Sequence, residues 1–102
     1  MSVLHVKNDN FHSVVLDSNK PVLIDFWASW CGPCKLFSPV LDEFAQDHPE
    51  YKIGKVNVDE ESALARKYRI MSIPTVIAFK DGKEMARISG IASEEEMLEL
   101  LA

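Results

Sequence analysis

The chain has 102 residues, of which 47% are hydrophobic and 26% are charged, and its formal net charge is −5. These values are typical of a single globular domain, here residues 1–102, that builds a core without cross-links. The acidic balance argues against a nucleic-acid-binding protein, which normally carries a basic patch. No apolar run approaches the roughly 18 residues of a membrane span, and residues 1–20 show no signal-peptide core. We therefore expect a soluble, cytoplasmic protein with no membrane partner.

The first part of the chain predicts two strands separated by a short helix. A weak strand at residues 3–6 precedes a helix at residues 8–16, for which Asn8 is the predicted N-terminal cap. Residues 22–28 form an apolar segment that is interrupted only by Asp25. Because an apolar run of this kind is typical of a strand buried on both faces, we expect a central strand here.

The middle of the chain predicts a long helix, a strand and a short helix. The long helix spans residues 31–48, where Pro33 suits the first turn and Pro39 removes one hydrogen bond from the interior. Its predicted buried face consists of Phe37, Val40, Leu41, Phe44 and Ala45. The next strand spans residues 53–58, and Asp59 is the predicted cap of the short helix.

The last third predicts a β-hairpin and a final helix. Residues 75–79 and 84–88 flank Asp81-Gly82, a strong signal for a tight hairpin turn. Ser93 and Glu96 form a capping box in front of an apolar helix. The element order is therefore β-α-β-α-β-α-β-β-α, in which alternation predicts parallel strands and the hairpin adds antiparallel ones. We expect an α/β fold whose mixed sheet lies between helices.

A pair of cysteines, Cys31-Gly32-Pro33-Cys34, lies where the central strand meets the long helix. A structural cross-link is disfavoured, because closing so short a loop removes only about 2 kcal/mol of denatured-state entropy. A zinc site is disfavoured too, since zinc needs about four ligands and this motif supplies two. The remaining candidates, His5, His12 and His48, lack paired ligand spacing. Two unrelated buried cysteines would be a coincidence at this spacing.

A redox-active dithiol explains the motif better than these alternatives. The thiolate is the nucleophile in disulfide exchange, and unpaired N–H groups at a helix N-terminus stabilise it. Cys31 occupies that point in the predicted helix. Cys34 lies one turn further in, close enough to form a disulfide, and we expect it to be more shielded from solvent than Cys31.

Two segments of the sequence resemble signatures of the thioredoxin family. The first runs from Phe26 to Lys35 and contains the Trp-Cys-Gly-Pro-Cys core, and the second is Ile73-Pro74-Thr75. Further matches are Asp25, Pro39, Lys55, Asp81-Gly82 and Gly90. The resemblance covers essentially the whole chain. It implies the thioredoxin fold, with a mixed five-stranded sheet flanked by four helices on both faces, and the activity of a protein-disulfide reductase.

Asp25 is a carboxylate in a strand that is otherwise apolar. It could lie at an exposed edge or in an ion pair, although alternation places it on the same face as Leu23 and Trp27. The resemblance implies a buried acid that accepts the proton of Cys34 through a water, since burial moves a carboxyl pKa toward neutrality. Lys55 is either a solvated edge lysine or, as the resemblance implies, a neighbour of Asp25 that holds its pKa partly down.

The resemblance also implies a substrate-docking surface around Cys31. A cis Ile73–Pro74 peptide bond would place this loop against the dithiol, with its backbone groups offered to an extended substrate segment. The apolar rim of this surface would consist of Trp30, Gly32, Pro33, Ile73, Pro74, Gly90 and Ile91. Exposed apolar patches of this kind mark binding sites. Ser89 and Ile91 depart from the family pattern on either side of Gly90, so the sequence does not predict substrate preference.

The resemblance further implies how such a protein works with its partners. It would bind no cofactor or metal of its own and act as a monomer. A thioredoxin reductase, either NADPH-dependent or ferredoxin-linked, would supply electrons, and disulfide-bearing client proteins would receive them. Two other functions stay open. One is an oxidant or isomerase of an oxidising compartment, which the reduction potential would distinguish. The other is a redox-independent binding subunit that uses the same rim.

Overall fold

The computed structural model describes residues 3–102, which form five strands and four helical segments in the predicted order. The strands are β1 (Val3–His5), β2 (Val22–Trp27), β3 (Lys52–Asn57), β4 (Thr75–Lys80) and β5 (Lys83–Ser89). The helices are α1 (His12–Leu16), which has π-helical hydrogen bonding, α2 (Gly32–Asp47), α3 (Ser62–Lys67) and α4 (Glu94–Leu101). No helix among the described residues is both long and apolar enough to cross a lipid bilayer.

The strands form one mixed sheet in the order β1-β3-β2-β4-β5, which places β2 at its centre. Strand β3 runs parallel to both β1 and β2. Strand β4 is antiparallel to β2, and β5 is antiparallel to β4. The register sets Asp25 of β2 between Lys55 of β3 and Val76 of β4. The expected mixed five-stranded sheet is confirmed.

A hydrophobic core lies on each face of the sheet, because successive side chains of a strand point to opposite sides. Leu23 of β2 packs in the core covered by α2 and α4, whereas Ile24 and Phe26 pack in the core covered by α1 and α3. All three side chains are fully buried, and each such burial contributes about 1.5–3 kcal/mol. Strand β2 is therefore the central strand that the sequence predicts, with helices on both sides.

Helix α2 presents most of its predicted apolar face to this core and continues through Pro39. Its buried apolar residues include Phe37, Leu41, Phe44 and Ala45. The prediction for Val40 is wrong, since this side chain is 38% exposed. Val40 lies at the border of the apolar stripe, beside a shallow hollow that Glu43 and Glu94 also line.

Two predicted helix caps are also wrong, because Asn8 and Asp59 lie in turns that end before their helices begin. Helix α1 begins at His12 without a side-chain cap, so Asn8 does not cap it. Instead, Asn10 Oδ1 accepts the N–H of residue 7 at 2.7 Å in the preceding turn. Helix α3 likewise has no side-chain cap, and Asn57 Oδ1 accepts the N–H of Asp59 at 2.9 Å. Asp59 is thus held in the turn before α3.

The hairpin and the last helix form as the local sequence predicts. Asp81 and Gly82 both have positive φ, 54° and 78°, as a tight hairpin turn that matches the twist of its strands requires. At α4, Ser93 Oγ accepts the N–H of Glu96 at 3.1 Å, and the Glu96 carboxylate accepts the N–H of Ser93 at 2.9 Å. These reciprocal bonds satisfy backbone donors that the first turn of a helix leaves free.

The end of α3 has a residue in a conformation that normally favours glycine. Arg69 has a φ of 54°, its N–H donates to Arg66 O at 3.1 Å, and the N–H of Ile70 donates to Ala65 O at 2.9 Å. This pair of hydrogen bonds is the Schellman pattern, in which glycine avoids the Cβ contact of the left-handed region. Arginine at this position therefore carries a conformational cost.

We predict that Arg69→Gly stabilises the protein by about 0.5–1 kcal/mol, because glycine removes that cost. Arg66→Gly, inside the last turn of α3, is the matched control and should destabilise by about 0.5–1 kcal/mol. Urea unfolding of the parent and both variants measures the two effects. Equal destabilisation by both substitutions would show that the left-handed backbone at residue 69 carries no cost.

His48 connects the end of α2 to the start of α4. Its Nε2 lies 2.9 Å from Glu94 Oε2, and its Nδ1 lies 3.3 Å from Glu50 Oε2. Both ring nitrogens can donate to carboxylates only when the imidazole is protonated. The hydrogen bond with Glu94, supported by Glu50, raises the pKa of His48 above its ordinary value of 6.5.

This raised pKa predicts a pH-dependent contribution to stability. Because the folded state binds the proton more tightly than the unfolded state, the contribution is complete below the unfolded value of 6.5 and is lost as pH rises through the folded pKa. His48→Gln should therefore flatten the fall in unfolding free energy across this window, and Glu94→Gln should flatten it in part. Chemical denaturation at a series of pH values measures this, and parallel curves for parent and His48→Gln would contradict it.

Candidate active site

Cys31 and Cys34 lie at the junction between β2 and α2, as the sequence predicts. Cys31 is the N-terminal cap of α2, and its Sγ accepts the N–H of Cys34 at 3.2 Å. Its extended backbone, with φ −87° and ψ 112°, gives way directly to the helical turn that begins at Gly32. The two cysteines form a disulfide, with their Cα atoms 5.2 Å apart. The helix N-terminus thus directs a backbone donor at the sulfur of Cys31.

The expectation that Cys34 is more shielded from solvent than Cys31 is not met. Cys31 is 4% exposed and Cys34 is 3% exposed, so Cys34 is hardly more shielded in the disulfide state. The reason is that Cys31 Sγ packs toward Ile73, whose carbonyl oxygen lies 3.8 Å away, and both cysteines share a small cluster with Ala28. The environments of the two sulfurs differ instead in one hydrogen bond, which Cys34 N–H donates to Cys31 Sγ.

Asp25 is buried in the central strand that leads to the dithiol. It is 1% exposed, and its Oδ1 has no hydrogen-bond partner among the described residues. This burial raises the pKa of Asp25 from 3.8 to about 7, against the opposing effect of the positive charge on Lys55. A carboxyl group with this pKa exchanges its proton near neutral pH, which is a requirement for general acid–base catalysis.

Lys55 is half-buried on an interior strand, so it is not a solvated edge residue. Its register places it directly opposite Asp25, and its Nζ donates to Ser38 Oγ at 3.3 Å. The same Nζ lies 4.6 Å from the centre of the Trp27 ring, a distance typical of a cation–π contact. Lys55 and Trp27 also line a cavity of about 230 Å³.

The loop before β4 approaches the dithiol from the other side. The Ile73–Pro74 peptide bond is cis, as the resemblance implies. Pro74 O accepts the N–H of Gly90 at 2.7 Å, which ties this loop to the segment after β5. Gly90 has a φ of 99°, a backbone conformation that residues with a side chain rarely adopt. The dithiol, the cis-proline loop and Gly90 thus come together at one end of the sheet.

The predicted apolar rim is only partly accessible. Trp30 is 67% exposed and Ile91 is 48% exposed. The short turn between the cysteines is exposed, whereas Ile73 and Gly90 are half-buried. Pro74 is buried, so it can shape the loop but offers little surface of its own to a substrate.

Sequence reasoning missed two features of this surface. Trp30 Nε1 donates to Asp59 Oδ2 at 2.8 Å, so the residue predicted as a helix cap instead orients the exposed indole. A groove of about 400 Å³ also runs from Trp30 and Ile73 to Met71, which is 92% exposed. The apolar residues immediately before Pro74 were the available signal for this groove.

We predict that Asp25→Ala stabilises the protein at alkaline pH. With a folded pKa of about 7 against 3.8 unfolded, the folded state keeps its proton longer, so the stability contributed by Asp25 falls as pH rises through that window. The variant lacks this cost and should be on the order of 2–4 kcal/mol more stable than the parent at about pH 8. At about pH 4 the difference should nearly vanish. Denaturant unfolding at both pH values measures it.

Asp47→Ala is the control for this measurement, because Asp47 is an exposed carboxylate on α2. Its effect on stability should be small at both pH values. If Asp25→Ala is less stable than the parent at alkaline pH, then Asp25 is ionised at no cost in the folded state. That result would remove the basis for its raised pKa.

Reversible formation of the Cys31–Cys34 bond is the chemistry that this arrangement supports, since an activated sulfur and its disulfide partner lie within one helical turn. The fold and the site therefore define the chain as a thiol–disulfide oxidoreductase.

Comparison with known proteins identifies the family. Residues 2–102 match the family model described as Thioredoxin. A thioredoxin of Mycobacterium bovis is 43% identical over 102 residues, covering 99% of this chain and 88% of the relative. A thioredoxin of Chlamydia pneumoniae is 43% identical over 96 residues, covering 94% of this chain and 92% of the relative. The chain belongs to the thioredoxin family.

A third relative is a longer protein. The chain is 43% identical over 96 residues to a bifunctional thioredoxin reductase/thioredoxin of Mycobacterium leprae. The match covers 93% of this chain and 21% of that protein.

Proposed function

We propose that this protein reduces disulfides in other proteins, with Cys31 as the attacking thiolate and Cys34 as the resolving thiol. The observation that carries this assignment is the hydrogen bond from Cys34 N–H to Cys31 Sγ at the N-terminus of α2. A backbone donor and a helix dipole favour negative charge on that sulfur once the disulfide is reduced. Cys34 lies inside the helix, where the dipole acts on it less.

The reaction proceeds by two exchanges at sulfur. The Cys31 thiolate attacks one sulfur of the substrate disulfide, that disulfide breaks, and a mixed disulfide forms while the other substrate sulfur leaves as a thiolate and takes a proton from solvent. Cys34 then loses its proton and attacks Cys31 Sγ. The Cys31–Cys34 bond forms, the mixed disulfide breaks, and the second substrate sulfur leaves as a thiolate that takes a proton from solvent. Two electrons pass from the protein to the substrate.

Asp25 is the proposed acceptor of the Cys34 proton, through a bridging water. Its buried position and its pKa of about 7 support this role, because a base with such a pKa can both take and release a proton near neutral pH. Lys55 is proposed to assist by limiting how far burial raises that pKa, and its register opposite Asp25 supports this. Both are positioned by interior strands of the sheet.

The proposed docking surface for substrates is the rim around Cys31. Its exposed members offer apolar contact, and the cis-proline loop places the Ile73 carbonyl 3.8 Å from Cys31 Sγ. An extended substrate segment could pair with the backbone of this loop, as peptides do at exposed edges. The proposed surface comprises Trp30, Gly32, Pro33, Ile73, Pro74, Gly90 and Ile91.

A thioredoxin reductase is the proposed source of electrons. The Mycobacterium leprae relative supports this partner, since its name joins a reductase to a thioredoxin in one protein. We further propose that the donor is NADPH- or ferredoxin-linked, and that the protein works in the cytoplasm as a single-domain monomer spanning residues 1–102. Client proteins that carry disulfides are the proposed acceptors.

The assignment of the two cysteines predicts different fates for their serine variants. The reduced parent should reduce insulin disulfides and turn over when an NADPH-dependent thioredoxin reductase is present. Cys34→Ser should stall as a mixed disulfide with its substrate through Cys31, because no resolving thiol remains. Cys31→Ser should neither react nor be trapped. Non-reducing electrophoresis and mass spectrometry of the trapped species measure these outcomes.

Trapping through Cys34 in the Cys31→Ser variant would reverse the assignment of the two roles. The proposed function would be rejected if the parent did not accelerate insulin reduction with either source of electrons, a chemical reductant or a thioredoxin reductase. Biological rescue by the variant with both cysteines replaced by serine would favour the redox-independent binding subunit instead.

A further inference from the structure

The groove beside the dithiol continues into a second hollow. The first hollow, of about 400 Å³, begins at Trp30 and Ile73. The second, of about 440 Å³, ends at Arg66 and Arg69. Both hollows are lined by Ala65, Ile70 and Met71, so they form one continuous surface. We call it the α3 groove; it leads away from the dithiol and ends at two arginines, Arg66 and Arg69.

The floor of the α3 groove is apolar and accessible. Met71 is 92% exposed, the most exposed of the large apolar side chains in the described part of the chain. Methionine adapts its shape to different apolar partners, and surfaces that bind varied sequences often use it. The near half of the α3 groove can thus accept an apolar side chain adjacent to a substrate cysteine.

The far half of the α3 groove is cationic in an otherwise acidic protein. Within residues 3–102 no carboxylate lies within ion-pair distance of Arg66 or Arg69, whereas Arg87 pairs with Glu84 at 2.8 Å. The whole chain has a formal net charge of −5. Two exposed arginines without partners at one end of the groove therefore make a local site that attracts negative charge.

The backbone at Arg69 gives an independent reason to assign a role to its side chain. Its φ of 54° is one that glycine adopts more easily, and glycine would complete the same hydrogen bonds at the end of α3. A side chain held in an unfavourable backbone conformation beside a functional site points to a use for that side chain. Here the side chain places a positive charge at the end of the groove.

We propose that the α3 groove selects substrates whose disulfide-bonded cysteine lies in an extended segment with an apolar residue next to it and acidic residues further along. The apolar residue occupies the half near Trp30 and Ile73, and the acidic residues lie at Arg66 and Arg69. The inference rests on the proposed function, since the same thiol exchange follows docking, and it names the class of substrate. Exposed ion pairs are individually weak, so the preference is about threefold to tenfold in kcat/KM.

Three peptides of equal length test this selection. Each has one cysteine with leucine on both sides and is linked through a disulfide to thionitrobenzoate, a coloured thiol that leaves when Cys31 attacks the peptide sulfur. The peptides differ at four positions, two on each side of the cysteine. One peptide has glutamate at the two N-terminal positions and glutamine at the other two, and a second has the reverse arrangement. The third has glutamine at all four positions. Reaction with dithiothreitol corrects for the intrinsic reactivity of each peptide.

The parent should react with one glutamate peptide about threefold to tenfold faster than with the glutamine peptide. Arg66→Gln with Arg69→Gln should remove this preference. The matched control, Lys80→Gln with Lys83→Gln, loses the same two charges in the β4–β5 hairpin, at the end of β2 opposite to the dithiol, and should keep it. About 1 M salt should abolish it, because screening then acts over about 3 Å.

Arg69→Gly separates selection from folding. This variant should be no less stable than the parent and yet lose part of the preference. Equal rates for all three peptides with the parent, or a preference that survives in the double arginine variant or in high salt, would overturn the groove proposal while leaving the reductase function intact. Failure of the parent to reduce any peptide or insulin would instead reject the function on which the proposal rests.

Discussion

The burial of Asp25 is the constraint on which the rest of the site depends. A carboxylate in an apolar interior is costly when ionised, and it is retained here at the centre of a strand covered on both faces. The cost shows as a pKa of about 7, which Lys55 keeps from rising further. The packing on both faces of β2 that stabilises the fold also keeps this carboxyl group out of contact with bulk solvent.

Local sequence signals predicted the fold well, because each acted over a few residues. The Asp81-Gly82 turn and the Ser93–Glu96 capping box depend on chain geometry that neighbouring residues alone determine. The apolar run of β2 predicted a central strand, because a short strand covered on both faces is apolar along its length. The dithiol was found in the same way, from the position of Cys31 between that strand and a helix.

Features that arise from competition or from distant segments could not be predicted. Asn8 and Asp59 are good helix caps by residue type, but several neighbouring residues compete as the start of a helix, and α1 and α3 begin only after the turns that contain these two residues. The α3 groove is built from segments far apart in the chain. Arg66 and Arg69 could not be predicted to form a site with Trp30, because only the fold places the end of α3 beside that residue.

The cap of α2 has a consequence for the lifetime of the reaction intermediate. The amide that donates to Cys31 Sγ belongs to Cys34, so the cap holds the backbone of the proposed resolving residue 3.2 Å from the sulfur that it would attack. Groups fixed at such a distance react as if at very high effective concentration. In the proposed reaction, a captured substrate would therefore be released before small thiols in solution intercept it, and helix geometry, rather than affinity, would commit the captured protein to reduction.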